Sequence, residues 1–269
     1  MISRIICSLF LVFLNNNTFA KVSDRDVLSY TLVDLETELA IDEKKSQEPM
    51  ILASVSKIFT YYFALKVLGP HDQFKTEIFH TGNIDRKGLL KGDIYLKGDG
   101  DPHLIVNHLL HLLFQMKNNG VKKVKGNFYY DRSEIPSFTR ISPLGLEDQP
   151  DNSGGGALNL DFNRFNVWTK EQKTHPPITY LDIDSKNMSS NGLRFAHDKE
   201  ILEKELWVMN SLEKLDIVED LPVKNSVKFT AHFFQYLAKM HGIDLIFPQK
   251  KQVPIHARRL AVHKGMSLS

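Results

Sequence analysis

Cysteine is almost missing from this chain of 269 residues, and the only one, Cys7, sits in a short apolar run at the N-terminus. A disulfide framework is therefore excluded, and so is a cysteine-based metal site. Charge of one sign is also lacking: 34 Lys and Arg against 32 Asp and Glu leave a formal net charge of +2. No basic field for nucleic acid follows from that balance. Long hydrophobic runs are absent too, since the apolar stretch from Ile5 to Leu14 is too short to span a bilayer. No internal repeat recurs at a fixed period, and no tract is compositionally simple.

That first apolar stretch follows Arg4 and is followed by Asn15 to Asn17 and then Thr18-Phe19-Ala20. A basic start, an apolar centre and a small residue at the end describe a secretory signal, so residues 1–20 are expected to be cleaved after Ala20. Cys7 lies within the apolar centre and not after it, which argues against a lipoprotein. The remaining chain, 42% hydrophobic overall, can bury a substantial core.

Apolar periodicity gives the expected elements. Val27 to Ala40 alternate as a hairpin around Glu36-Thr37-Glu38. From Ser54 to Leu68 nothing breaks a helix, and Val55, Ile58, Phe59, Tyr62, Phe63, Leu65 and Val67 cover most of its circumference, so it is expected to be buried on several sides. Gly69-Pro70 is its stop. Phe74–Phe79, Leu89–Leu96 and Val124–Tyr130 alternate as strands. His103–Lys117 and Val227–Met240 are amphipathic helices, ending at Gly120 and Gly242. Ala157–Leu160 and Phe165–Trp168 are expected strands, Asp131–Asn152 a surface excursion, Thr169–Glu203 weakly patterned, and Phe247–Ser269 a polar, basic tail.

Chemistry is suggested by Ser54-Val55-Ser56-Lys57. Three residues advance about 300 degrees around a helix, so Ser54 and Lys57 share a face. A lysine partly desolvated among Ile51, Leu52, Ala53, Ile58 and Phe59 could accept the serine's proton as it attacks a carbonyl. The helix N-terminus would favour the developing oxyanion. The spacing is cheap: Ser211 and Lys214 share it, but among Glu213, Asp216 and Glu219, where an exposed lysine makes a poor base.

The run Pro49 to Thr60 resembles the nucleophile motif of penicillin-binding D-alanyl-D-alanine peptidases. In particular it is similar to the carboxypeptidase/endopeptidase family of low-molecular-mass class C penicillin-binding proteins. The likeness continues through Leu68-Gly69-Pro70, Phe74 to Glu77, Gly88 to Leu96 and Gly98 to Pro102, and resumes at Val124 to Asn127 and Ala157 to Asn163. The resemblance implies a mixed α/β fold: a serine DD-peptidase/β-lactamase-like catalytic domain interrupted by a β-rich insertion. Residues 21–71 would open the catalytic domain, 72–223 would be the insertion, and 224–269 would return to the catalytic domain. It implies Ser54 as the acylated nucleophile, whose backbone N–H is half of the oxyanion hole, and Lys57 as its base. No metal or organic cofactor is implied. Peptidoglycan stem peptides would be substrates, β-lactams covalent inhibitors, and the periplasm the location, with no nucleic acid partner and no transmembrane span. The family's later Ser-x-Asn and Lys-Thr-Gly motifs do not follow Met240, as in a truncated member. Ser185-Lys186-Asn187, Ser189-Ser190-Asn191 and His80-Thr81-Gly82 mimic them at the wrong places. Two further readings are a non-catalytic remnant that binds cell-wall peptide or a protein partner, and a β-lactamase, which lacks the long insertion.

Other clusters carry less. His103, His108 and His111 lie on one expected helix without a carboxylate or cysteine to complete a zinc site. Asp99 and Asp101 belong to a strand-end turn without the spacing of a calcium loop. Gly154-Gly155-Gly156 lacks a following lysine to hold phosphate.

Overall fold

The computed structural model of the chain describes residues 28–51, 53–186, 194–198, 204–210 and 217–268. It is a mixed α and β fold in two compact units, residues 1–64 and 65–269.

The first unit contains the expected hairpin, β1 (Tyr30–Val33) antiparallel to β2 (Ala40–Lys44), with a register shift between Leu32 and Val33. A 3-10 turn at Ala53–Ser56 leads into helix α1 (Lys57–Leu68), which runs past the unit boundary. Gly69 ends the helix with φ of 90° and donates its N–H to the Leu65 carbonyl. The expected burial of α1 is not found: Ile58, Phe59, Tyr62, Phe63 and Val67 are all exposed. Burial needs a second layer, and the described part of this unit supplies only a two-stranded hairpin.

The second unit is built on a five-stranded sheet in the order β15-β8-β6-β3-β16. Its strands are β3 (Gln73–His80), β6 (Ile94–Gly98), β8 (Phe128–Asp131), β15 (Gln249–Lys250) and β16 (Arg258–Ser267). A three-stranded sheet of β4 (Asn83–Ile84), β5 (Leu89–Lys91) and β7 (Lys123–Val124) adjoins it in sequence. Two expected strands are thus each cut in two. At Gly92 a Cβ would lie 1.9 Å from the Thr81 carbonyl oxygen, and at Gly126 a Cβ would lie 2.1 Å from the Gly92 oxygen. The chain switches sheets where only glycine allows so close an approach. Asp93 secures the switch by accepting hydrogen bonds from the backbone and side-chain N–H of Asn127.

Helix α2 (Val106–Asn118) packs on β3 and β16, and α3 (Ser226–Met240) packs on β8. Leu109, Leu112, Leu113 and Met116 of α2, and Phe229, Phe234 and Leu237 of α3, are buried together with Ile78, Ile94, Leu96 and Phe128. Each such side chain contributes about 1.5–3 kcal/mol by leaving water. Both helices stop where expected, and by one mechanism. Gly120 and Gly242 take positive φ, and the next N–H, of Val121 or Ile243, reaches back to the Met116 or Ala238 carbonyl. Helix α2 starts three residues later than the sequence pattern suggests, so His103 precedes it.

Two more three-stranded sheets complete the unit. One joins β9 (Arg164–Trp168) to β10 (Lys173–His175) and β14 (Val218–Pro222). The other joins β11 (Leu181–Lys186), β12 (Phe195–His197) and β13 (Glu205–Asn210). Residues 157–160 form no strand; they enter a turn at Asp161–Asn163 in which all three residues have positive φ.

The C-terminal part of the chain joins this same unit. Helix α3 shares its core, and β16 pairs antiparallel with β3. The polar tail hides a strand whose outer edge is closed by side chains of α2 and of its C-cap residue Asn119. Gln115 donates to the Val262 carbonyl and accepts from its N–H, and Asn119 donates to the Leu260 carbonyl. Those amides satisfy backbone groups that a bare edge strand would leave open.

Candidate active site

Ser54 lies in the 3-10 turn and Lys57 is the first residue of α1, so both stand at the helix N-terminus. Lys57 Nζ donates a hydrogen bond to Ser54 Oγ at 3.3 Å. The i, i+3 spacing produces that pairing directly. Both residues are exposed, so the desolvation expected from their apolar neighbours is not present among the described residues. Apolar sequence neighbours on a helix point to other faces and shield an amine only when a second layer folds over them.

The other sequence candidates are dispersed. Ser211, Lys214 and the run Ser189-Ser190-Asn191 lie outside the described residues, as does Asn187. Ser185 and Lys186 are on β11, and His80-Thr81-Gly82 ends β3 in a turn. Asp99 and Asp101 form the expected strand-end turn, in which Asp99 accepts from the Lys75 N–H and Asp101 from the His103 N–H. Among the described residues no three His, Cys, Asp or Glu side chains converge to hold a metal ion. Gly154–Gly156 is consumed by backbone pairing with Phe138 and Val223 and by the Asn159 side chain.

Buried polar groups that the sequence did not reveal stand in the second unit. Glu205 is fully enclosed and accepts from the Lys224 and Asn225 N–H groups, Trp207 Nε1 and the Tyr180 hydroxyl. Burial pushes its carboxyl above the usual range, against those four donors. It fixes the entry to α3, where Asn225 caps the helix by accepting from the Lys228 N–H. Asp101 is also buried, with its Oδ2 3.7 Å from His263 Nε2, and the His263 ring stacks on His108 at 3.9 Å. Burial holds the His263 imidazole below its ordinary range, helped by His108 and opposed by Asp101. The signal for such pairs is separation in sequence, which one chain does not display.

Comparison with known proteins agrees with the motif. The model of the D-Ala-D-Ala carboxypeptidase 3 (S13) family matches residues 17–189. The D-alanyl-D-alanine carboxypeptidase DacB of Haemophilus influenzae is 30% identical over 139 residues, 51% of this chain and 29% of that protein. A D-alanyl-D-alanine carboxypeptidase of an Actinomadura species is 32% identical over 124 residues, 46% of this chain and 23% of that protein. The crystal structure of penicillin binding protein 4 (dacB) from Haemophilus influenzae matches the fold with a TM-score of 0.66 at 23% identity, covering 88% of this chain and 56% of that one. The same protein complexed with a β-lactam matches with a TM-score of 0.62 at 21% identity, over 88% and 54% of the two chains. The chain thus spans about half the length of these solved structures. With the family model matched across residues 17–189, the chain belongs to the D-Ala-D-Ala carboxypeptidase 3 (S13) family.

Proposed function

We propose that the protein is a serine-type D-Ala-D-Ala carboxypeptidase/endopeptidase acting on peptidoglycan stem peptides in the periplasm, after removal of residues 1–20. The 3.3 Å hydrogen bond between Lys57 Nζ and Ser54 Oγ carries the reading. Ser54 Oγ attacks the carbonyl carbon of the penultimate D-Ala while Lys57 Nζ takes its proton. The C–N bond then breaks, the proton goes to the departing D-Ala amine, and an ester remains on Ser54. Water attacks that ester, releasing the shortened peptide and returning the proton to Ser54. A β-lactam acylates the same oxygen by opening its ring amide. The Ser54 N–H, at the positive end of α1, supplies part of the oxyanion stabilisation.

An amine serves as a base near neutral pH when water is excluded from it. Lys57 is exposed, so its desolvation has to come from whatever covers the N-terminus of α1, bound substrate included. The same exposure favours a second reading, a chain that binds cell-wall peptide without turnover. Incubation with a D-Ala-D-Ala-terminated peptide separates the two. Release of free D-alanine, lost in Ser54→Ala and in Lys57→Met, supports the enzyme. Binding with no release in the folded parent protein supports the second reading and overturns the first.

A further inference from the structure

Where the last strand of the five-stranded sheet begins, β16, β3, the β4 turn and the end of α2 enclose a surface hollow of about 470 Å³. Its polar walls are His80, Asn83, Asn119, Arg258 and Arg259. We infer that this hollow is a binding site for a small oxyanion, a phosphate or carboxylate group, held by Arg258 with Asn83 and His80.

Arg258 and His80 are directly opposite in the antiparallel pair, so their side chains rise from the same face of the sheet. Arg258 is held in place by neutral acceptors: its Nη2 donates to the Gly82 carbonyl at 2.6 Å and to Asn83 Oδ1 at 3.2 Å. Among the described residues no carboxylate is paired with it, whereas Arg259 is matched by Glu77 at 3.0 Å. The guanidinium is therefore a fixed charge with donors left over, in the fork geometry that suits an oxyanion.

His80 is 6% exposed, and its Nδ1 is buried without a hydrogen-bond partner. Buried ring nitrogens are ordinarily paired. Burial and the Arg258 charge both hold the imidazole below its ordinary range, which the Thr81 carbonyl opposes. An oxyanion in the hollow would offset the Arg258 charge that faces His80 from the neighbouring strand. Asn83 spends its Oδ1 on Arg258, which leaves its amide N–H groups as a neutral donor at the hollow. Asn119 caps α2 and donates to the Leu260 carbonyl; it brings no charge, and the first C-terminal carbonyls of the helix are already taken by the N–H groups of residues 119–121. Among the described residues the charge that acts on His80 is thus that of Arg258, while Arg259 is matched by Glu77.

The test uses the full chain labelled with nitrogen-15, following the imidazole and guanidinium signals as sodium phosphate or sodium acetate is added against sodium chloride at equal ionic strength. Saturable shifts at His80 and Arg258, with the His80 titration midpoint moving upward and exposed His256 unmoved, support the site. Response to phosphate alone assigns it to phosphoryl groups; response to acetate as well assigns it to oxyanions in general. Arg258→Gln is expected to weaken binding about tenfold or more. Asn83→Asp, which places a carboxylate on Arg258 without removing it, is expected to abolish the response in a chain that remains folded. The inference is overturned if chloride produces the same shifts, or if both variants bind as the parent does.

Discussion

Glu205 lets the energetics of the fold be worked through from single atoms. Its Oε1 accepts from the Lys224 N–H at 2.8 Å and Trp207 Nε1 at 3.1 Å; its Oε2 accepts from the Asn225 N–H at 3.1 Å and the Tyr180 hydroxyl at 3.2 Å. In Glu205→Gln the amide oxygen can keep the first two donors. The new NH2 group faces the Asn225 N–H, donor against donor, while the Tyr180 hydroxyl can rotate to accept. One buried donor is left without a partner, at a cost of about 1–3 kcal/mol. Glu205→Ala strands three N–H groups and opens a cavity, for about 3–5 kcal/mol. In a unit of this size 1 kcal/mol moves the melting temperature by about 2–4 °C. The thermal unfolding midpoint followed by circular dichroism is therefore expected to fall by about 2–12 °C for glutamine and by about 6–20 °C for alanine. The folded carboxyl has a raised pKa, so the native state retains this proton where the unfolded chain has released it. Its contribution falls as pH climbs from the unfolded value near 4.3 through the raised one, a slope that glutamine removes. An alanine variant melting within about 1 °C of the parent would refute the assignment of Glu205 as the tie between β13 and α3.

Other consequences are open to measurement. Gly92→Ala drives a methyl group to 1.9 Å from the Thr81 carbonyl oxygen, which is backbone and cannot swing aside; denaturant titration is expected to show a loss of about 1–3 kcal/mol or more. Phe162 is 64% exposed with φ of 57° between two other left-handed residues. Phe162→Asn is expected to raise stability by about 1 kcal/mol, because asparagine tolerates that conformation and little packing is lost. The imidazoles of His80 and His263 are both held low by burial. The unfolded chain, titrating near 6.5, then binds more protons as pH falls below that value, so stability is lost towards the lowered folded values and is complete above about 7. Denaturant midpoints across that range should show the loss, reduced in His263→Gln; a flat profile would contradict it.

What could be read in the sequence was local. The helices α2 and α3 follow from apolar spacing over about four turns, and their stops from Gly120 and Gly242. The cuts at Gly92 and Gly126 were not legible, because the carbonyl each glycine meets belongs to another stretch of chain. Strand β16 reads as a basic tail since Arg258, Arg259, His263 and Lys264 obscure buried Leu260 and Ala261, and its edge is closed by Gln115 and Asn119 from far away in sequence. At the candidate site the same division holds. The pairing of Ser54 with Lys57 follows from their spacing, whereas the shielding of the lysine depends on surfaces that no local pattern specifies.

The central claim is that Ser54 is an acylatable nucleophile. Intact-mass analysis of the folded chain after incubation with a penicillin tests it most directly, followed by peptide mapping of the adduct. The account predicts one added β-lactam, mapped to the peptide that contains Ser54, lost in Ser54→Ala and formed more slowly in Lys57→Met. A folded parent protein that acquires no adduct, or one that acquires it equally in Ser54→Ala, would contradict the account.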